Sequence, residues 1–239
     1  MNQTLAIARR ELAALFFSPI AYVVLGLFSL GTAMIFLASF APGEPAILRD
    51  TFYRVVWLMI FLVPAITMRL ITDEFRAGTI ELLMTSPIHD GQVIAGKWLG
   101  ALGFFAALLS PLVVFAVVLT CTSRPDYGPI LTGFIGLLLT GALFLAIGTF
   151  ASAVTQNQII AFILTVALLA SLTIFTSYLA GASFVTDNVR QMLNYGNPAV
   201  QYENFSKGVI DWPNVVYYAS GITFFLFIAT QVLQSRRWR

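Results

Sequence analysis

Charge is what this 239-residue chain has least of: Asp, Glu, Lys and Arg make up only 10% of it. A soluble domain carries about 25%. The hydrophobic share is 59% and the mean hydropathy is +0.86. So few charges cannot solvate the surface of a soluble domain, and the composition falls in the membrane class. A net charge of +2 is too small to attract nucleic acid. The one cysteine, Cys121, excludes an internal disulfide and a cysteine-based metal site. The one histidine, His89, has no acid, Cys or His at metal-ligand spacing. No G-x-S-x-G elbow accompanies it, which argues against a Ser-His hydrolase. The apolar runs also lack the Asp, Glu or His relay expected of a proton-coupled transporter. Any energy for transport then comes from outside this chain. Residues 1–19 do not read as a signal peptide, because Arg9, Arg10 and Glu11 interrupt the apolar content and no long apolar region precedes a cleavage site.

What is present is a series of apolar runs. A hydrocarbon core of about 30 Å needs about 20 apolar residues as helix. Six runs meet that length: 20–40, 52–71, 98–120, 130–154, 159–180 and 215–233. Pro64 predicts a kink in the second and Ser110-Pro111 a kink in the third. Before them, Leu5, Ala8, Leu12, Leu15 and Phe16 recur at helical spacing. Residues 3–17 therefore read as an amphipathic helix lying in the membrane interface, or as an extension of the first span. Arg54 and Arg69 fall near the ends of the second span, where a charged side chain can reach the headgroups. Gln156-Asn157-Gln158 is a tight polar turn, and residues 183–212 form a long polar loop. Six spans put both termini on one side. The side holding Arg9, Arg10, Arg69, Arg76, Lys97, Arg236, Arg237 and Arg239 is richer in positive charge than the side holding Arg49, Arg54, Arg124, Arg190 and Lys207. The positive-inside rule makes the former, with both termini, cytoplasmic.

The longest polar interruption of the first half lies between spans two and three. It reads T-D-E-F-R-A-G-T-I-E-L-L-M-T-S-P-I-H-D-G. Asp73 can cap a helix over about residues 74–85, with Glu74 at its positive end, and Ser86-Pro87 ends it. Asp90 can cap the helix that follows. Asp73, Glu74, Arg76 and Glu81 offer charge-assisted contacts to a partner, and Leu82, Leu83 and Met84 a small apolar anchor. Gly78 in mid-helix costs about 1 kcal/mol against Ala, so it must serve a close approach or a bend.

Two other patterns carry less. Gly91-Gln-Val-Ile-Ala-Gly96-Lys97 fits a phosphate loop until Trp98 replaces the hydroxyl residue that would hold Mg²⁺. Gly96, Gly100 and Gly103 instead suit close helix packing. The glycines and hydroxyl residues of the other spans, among them Gly133, Gly136, Gly141, Gly148, Ser152, Ser171 and Thr173, read as packing positions, with a polar stripe along a substrate route as the alternative.

The segment Asp73–Pro87 resembles the signature between spans two and three of ABC-2-type transporter permeases. That signature is an acid, then G-T-[apolar]-E-L-L, then a proline. Glu74, Gly78, Thr79, Glu81, Leu82, Leu83 and Pro87 carry it here. The span number, the N-terminal helix and the long loop before span six match as well, so the resemblance covers essentially the whole chain. Compact size and the residues Pro198, Phe205, Ser206, Gly208, Val209, Ile210 and Asp211 are most similar to the gliding-motility-type permeases, with the nitrous-oxide-reductase-maturation type close by.

The resemblance implies an all-α fold of the ABC-2, type V exporter-like kind, in one transmembrane domain over 1–239. It implies that the chain pairs with a second permease subunit, identical or paralogous, and docks two copies of an ABC ATPase subunit, with room for an accessory periplasmic subunit. Residues 73–87 would be the cytosolic coupling helix: Asp73, Glu74, Arg76, Gly78, Thr79, Glu81, Leu82, Leu83 and Pro87 contact the ATPase. Residues 3–17 would be the interfacial connecting helix. Spans two and five would line the path, with Thr67, Ser171, Thr173 and Thr176 as pathway candidates. The chain itself would have no catalytic residues and bind no cofactor, ATP and Mg²⁺ residing on the partner, and it would sit in the inner membrane. Two alternatives remain at this point: a secondary transporter independent of any ATPase, and a scaffold that passes ATPase motion to a periplasmic partner without solute flux.

Overall fold

Without water in the bilayer, backbone N–H and C=O groups must pair within a segment, so apolar runs of this length become helices. The computed structural model describes residues 3–39, 48–78, 89–122, 125–183 and 185–236, and the secondary structure there is helical. Helix α1 is Gln3–Phe16 and α2 is Pro19–Ser39. Pro19 starts α2 at a position where its missing N–H costs nothing. Helix α3 is Arg49–Thr67 with Pro64 inside it, and after a turn α4 is Thr72–Ala77. Helix α5 is Asp90–Leu108 and α6 is Ser110–Thr122. The break between them falls at Leu109, just before the Ser110-Pro111 pair, because Pro111 has no N–H to continue the ladder. Helix α7 is Tyr127–Val154. Helix α8, Gln158–Ala170, continues through one π turn, Ser171–Phe175, into α9, Thr176–Ala180. Helices α10, Asp187–Gly196, and α11, Pro198–Ser206, precede α12, Trp212–Arg236. Among the described residues, six stretches are long and apolar enough to span a membrane: Pro19–Ser39, Arg49–Ala77, Asp90–Thr122, Tyr127–Val154, Gln158–Ala180 and Trp212–Ser235.

Helix α7 is the centre. It packs against α3, α5, α8, α11 and α12. Its glycines make this possible by leaving room. A Cβ at Gly133 would meet Phe52 at 2.5 Å and one at Gly136 would meet Phe205 at 2.6 Å. Phe105 fills the space at Gly141, and Thr67 the space at Gly148. Phe52 also meets Phe134 edge-on, with ring centroids 5.1 Å apart. Helix α2, by contrast, buries only Ala21, Val24, Phe28 and Thr32. Leu25 and Phe36 pack partly against the core, Phe36 stacking on Phe115 at 4.7 Å, while Tyr22, Val23, Leu27, Leu30, Met34 and Leu37 face outward, as suits a span bordered by lipid.

Residues 183–212, expected as a polar loop, hold two helices instead. Asn197 caps α11: its side-chain oxygen accepts from the Ala199 N–H at 2.9 Å, and Pro198 takes the first helical position. Ala199, Tyr202 and Phe205 share the buried face of α11. The Tyr202 hydroxyl donates to the Gly133 carbonyl at 3.3 Å. Burial first, and then the neighbouring Tyr218, pushes the Tyr202 phenol well above its ordinary pKa. The Asn197 amide donates to the Thr173 carbonyl at 3.1 Å and to Ser177 Oγ at 2.7 Å. It thus ties this region to the π turn and α9. The Thr173 carbonyl also accepts from the Thr176 N–H and hydroxyl, so Asn197 adds a tie across elements to a carbonyl of the π turn.

Candidate functional site

Helix α4 is shorter than the 74–85 helix expected from the sequence. It starts after Ile71, so Asp73 lies in its first turn and does not cap it. It ends because Gly78 takes the left-handed conformation, φ 67° and ψ 7°. Gly78 is therefore the C-terminal stop and not a mid-helix residue. A Cβ there would meet nothing within 4 Å, so the requirement for glycine is conformational and not steric. Thr79, Glu81, Leu82, Leu83 and Pro87 lie outside the described residues.

Within α4 Glu74 points inward, while Asp73 stays partly exposed and turns back toward Arg69. Asp73 accepts from Arg69 Nε at 3.1 Å, and the Gln158 amide also donates to it. Arg69 reaches on to Ser18 Oγ at 2.9 Å. Glu74 lies 2.9 Å from Lys97 Nζ. The same Nζ is 2.7 Å from Glu11. The Lys97 side chain is only 3% exposed, against 13% for Glu74 and 15% for Glu11. This triad joins α1, α4 and α5. At the start of α4, the Ile71 and Thr72 N–H groups both donate to Ser152 Oγ of α7, at 3.1 and 3.3 Å. A six-residue helix is thereby held to the turn after α3, to α5, to α7 and to the start of α8. Such a segment is marginal alone in water, and these contacts fix it. Arg76, Ala77 and Gly78 face outward and are exposed.

The glycines of α5 explain how α1 comes close enough for the triad. A Cβ at Gly96 would lie 2.8 Å from Ile7 Cβ, and one at Gly100 would lie 2.7 Å from Glu11 Cβ. Helix α1 rests in this groove. Trp98 Nε1, on the same helix, donates to the Ala142 carbonyl at 3.0 Å. The near phosphate loop at Gly91–Lys97 is thus the first half of a helix, with its lysine committed to two carboxylates. His89 adopts the N-cap position of α5 without a side-chain capping bond, and Asp90 is the first helical residue rather than the cap.

The pathway candidates are dispersed in character. Thr67 is fully buried beside Gly148, and its hydroxyl donates to the Val63 carbonyl at 3.2 Å. Thr173 is buried, Thr176 half-buried and Ser171 exposed. Their hydroxyls bond to carbonyls of their own helical turns: Ser171 to Leu168 at 2.8 Å, Thr173 to Leu169 at 2.5 Å and Thr176 to Leu172 at 2.6 Å. Glu11, Lys97, Ser152 and Gln158 are the site residues that sequence reasoning passed over. A lysine amid apolar helix was the one available signal, since a buried charge demands partners.

Six membrane-length helices, the glycine-lined α7 at their centre, together with a short charged helix clamped to its neighbours, define a multi-pass membrane protein among the described residues. A family model described as ABC-2 family transporter protein matches residues 5–233, nearly the whole chain, and the chain belongs to that family. Among curated proteins no relative matches. Membership makes the chain the permease component of an ABC transporter.

Proposed function

We propose that α4 and the segment after it, to Pro87, form the coupling element that docks on a cytosolic ABC ATPase. The supporting observation is the clamp on α4: Asp73, Glu74 and the Ile71 and Thr72 N–H groups link it to the turn after α3, to α5, to α7 and to α8. A force on Arg76 or on residues 79–87 would pass to several spans at once. Two such permease chains, identical or paralogous, with two ATPase subunits, would switch the spans between two packings as the ATPases close. In this reading both termini are cytoplasmic, residues 183–212 face the opposite side of an inner membrane, and ATP and Mg²⁺ bind to the partner. The work done is export of a solute or mechanical action on an outer partner. Among the residues that carry the gliding-motility likeness, part have packing roles, while Val209, Ile210 and Asp211 are exposed. Pro198 starts α11, Phe205 and Ser206 are buried, and Gly208 turns the chain at φ 90°.

The test is affinity purification of the detergent-solubilised chain with its cognate ATPase. Wild type should retain the ATPase. Glu81→Lys should lose it, and so should Gly78→Leu, which cannot hold the left-handed turn without strain. Gly78→Asn should retain it, because Asn tolerates that region. Undiminished retention in Glu81→Lys and Gly78→Leu would refute the docking role.

A further inference from the structure

A hollow of about 370 Å³ opens beside α4, lined by Arg76 and by Gln156, Asn157, Gln158 and Ile159 of the turn into α8. Four of these five side chains are polar, which sets the hollow apart from the mostly apolar pockets that hold small molecules. Two elements far apart in the sequence meet here, and hydrogen bonds hold them together. The Gln158 amide donates to Asp73 of α4. Ser152, just before the turn, accepts from the Ile71 and Thr72 N–H groups at the start of α4.

The hollow presents hydrogen-bond donors and no carboxylate. Arg76 is exposed and has no ion-pair or hydrogen-bond partner among the described residues. Asn157 commits its side-chain oxygen to the Ile159 N–H at 2.9 Å, which leaves its amide N–H groups for another acceptor. Gln156 is exposed, and its amide has no partner among the described residues. Asp73 is engaged by Arg69 and Gln158 and does not line the hollow. The complement of a guanidinium beside two carboxamides is a carboxylate, which Arg binds as a two-pronged fork. Ile159, 69% exposed, adds an apolar edge. A site for a charged membrane surface would gather several cations, and this one has a single guanidinium.

We propose that this hollow is a second docking point for the ATPase subunit and receives one Asp or Glu side chain of that partner. The proposal rests on α4 being the coupling element, and it adds to it the turn between α7 and α8. The partner's carboxylate takes the Arg76 guanidinium and accepts from Gln156 or Asn157, while an apolar neighbour covers Ile159. A contact seated on both elements passes the movement of the ATPase to α8 directly as well as through α4.

Binding of the purified cognate ATPase to the full-length chain in nanodiscs tests this, with affinity read by biolayer interferometry. Arg76→Gln should weaken binding about tenfold or more, the scale of one lost charge-assisted hydrogen bond. Gln156→Glu sets a like charge against the partner's carboxylate and should weaken binding by a similar factor. Lys207→Gln, which lies outside the hollow, should leave it unchanged. A photo-crosslinking residue at position 156 should capture an ATPase peptide containing Asp or Glu, and replacing that acid by Arg should restore binding to Arg76→Glu. Size-exclusion profiles verify that each variant folds. Glu81→Lys is measured in parallel. If Glu81→Lys loses the ATPase while Arg76→Gln and Gln156→Glu keep wild-type affinity, α4 remains the coupling element and the hollow is not a docking point. If the wild type does not bind the ATPase, both proposals fall. Crosslinks from position 156 to lipid alone would also overturn this one.

Discussion

Lys97 Nζ sits 2.9 Å from the Glu74 carboxylate, although the two residues are 23 positions apart and on different helices. The lysine is almost wholly buried and also holds Glu11 at 2.7 Å. This one contact places α4 against α5 and, through Glu11, brings α1 into the same unit. Charges out of water are costly unless paired with good geometry, so the triad behaves as a fixed joint.

Removing the lysine leaves two half-buried carboxylates facing each other. Lys97→Met should lower stability by about 3–5 kcal/mol, the scale for breaking a buried pair from one side. Thermal unfolding in detergent measures it. A second change, Glu74→Gln, in the Lys97→Met background should restore part of the loss. If Lys97→Met costs no more than a surface substitution, the joint is not tight.

Helix α1 depends on bare backbone at Gly96 and Gly100. Gly100→Leu should push Glu11 away from Lys97 and loosen α1, since its new side chain would start 2.7 Å from Glu11 Cβ. Limited trypsin digestion should then cut at Arg9 and Arg10 several-fold faster than in wild type. Gly26→Leu is the control, because a Cβ there meets nothing within 4 Å; its cleavage rate should stay at the wild-type value. Equal rates in Gly100→Leu and wild type would show that α1 is held by other means.

Asn197 has two separable tasks. Asn197→Ala removes the cap of α11 and the donor to Thr173, at a combined cost of about 2 kcal/mol. Asn197→Asp keeps the cap, because its carboxylate still accepts from the Ala199 N–H, but it cannot donate to the Thr173 carbonyl. Hydrogen exchange should show faster exchange in α9 and the π turn for both variants, and in α11 for Asn197→Ala alone. Identical exchange in the two variants would mean that the cap and the latch are one cooperative unit.

The spans were legible because a long apolar run has one stable form in a bilayer. Pro111 and the Gln156–Gln158 turn could be placed for equally local reasons. The stop at Gly78 was misread as a mid-helix glycine. Apolar and charged residues continue on both sides of it, and only its positive φ marks the end. Helices α10 and α11 were missed because polar residues such as Gln201, Glu203 and Asn204 dilute the one-sided face of Ala199, Tyr202 and Phe205. The Asn197-Pro198 pair, a capping residue followed by a first-turn proline, was a signal available in the sequence. The partners of Lys97 were not legible at all. Glu11 lies 86 positions away, and no local rule joins them. The inward turn of Glu74 was likewise hidden, since a charged residue on a short helix reads as solvent-facing until its neighbours are known.

The central claim is that α4 and the segment beyond it meet the ATPase. The most direct measurement places a photo-crosslinking amino acid at Ala77, exposed at the outer end of α4, and separately at Gln191, exposed on α10. Cells co-expressing the cognate ATPase are irradiated and the crosslinked products identified. The account predicts an ATPase adduct from position 77 and none from position 191. An adduct from 191 and not 77 would invert the proposed topology and contradict the account.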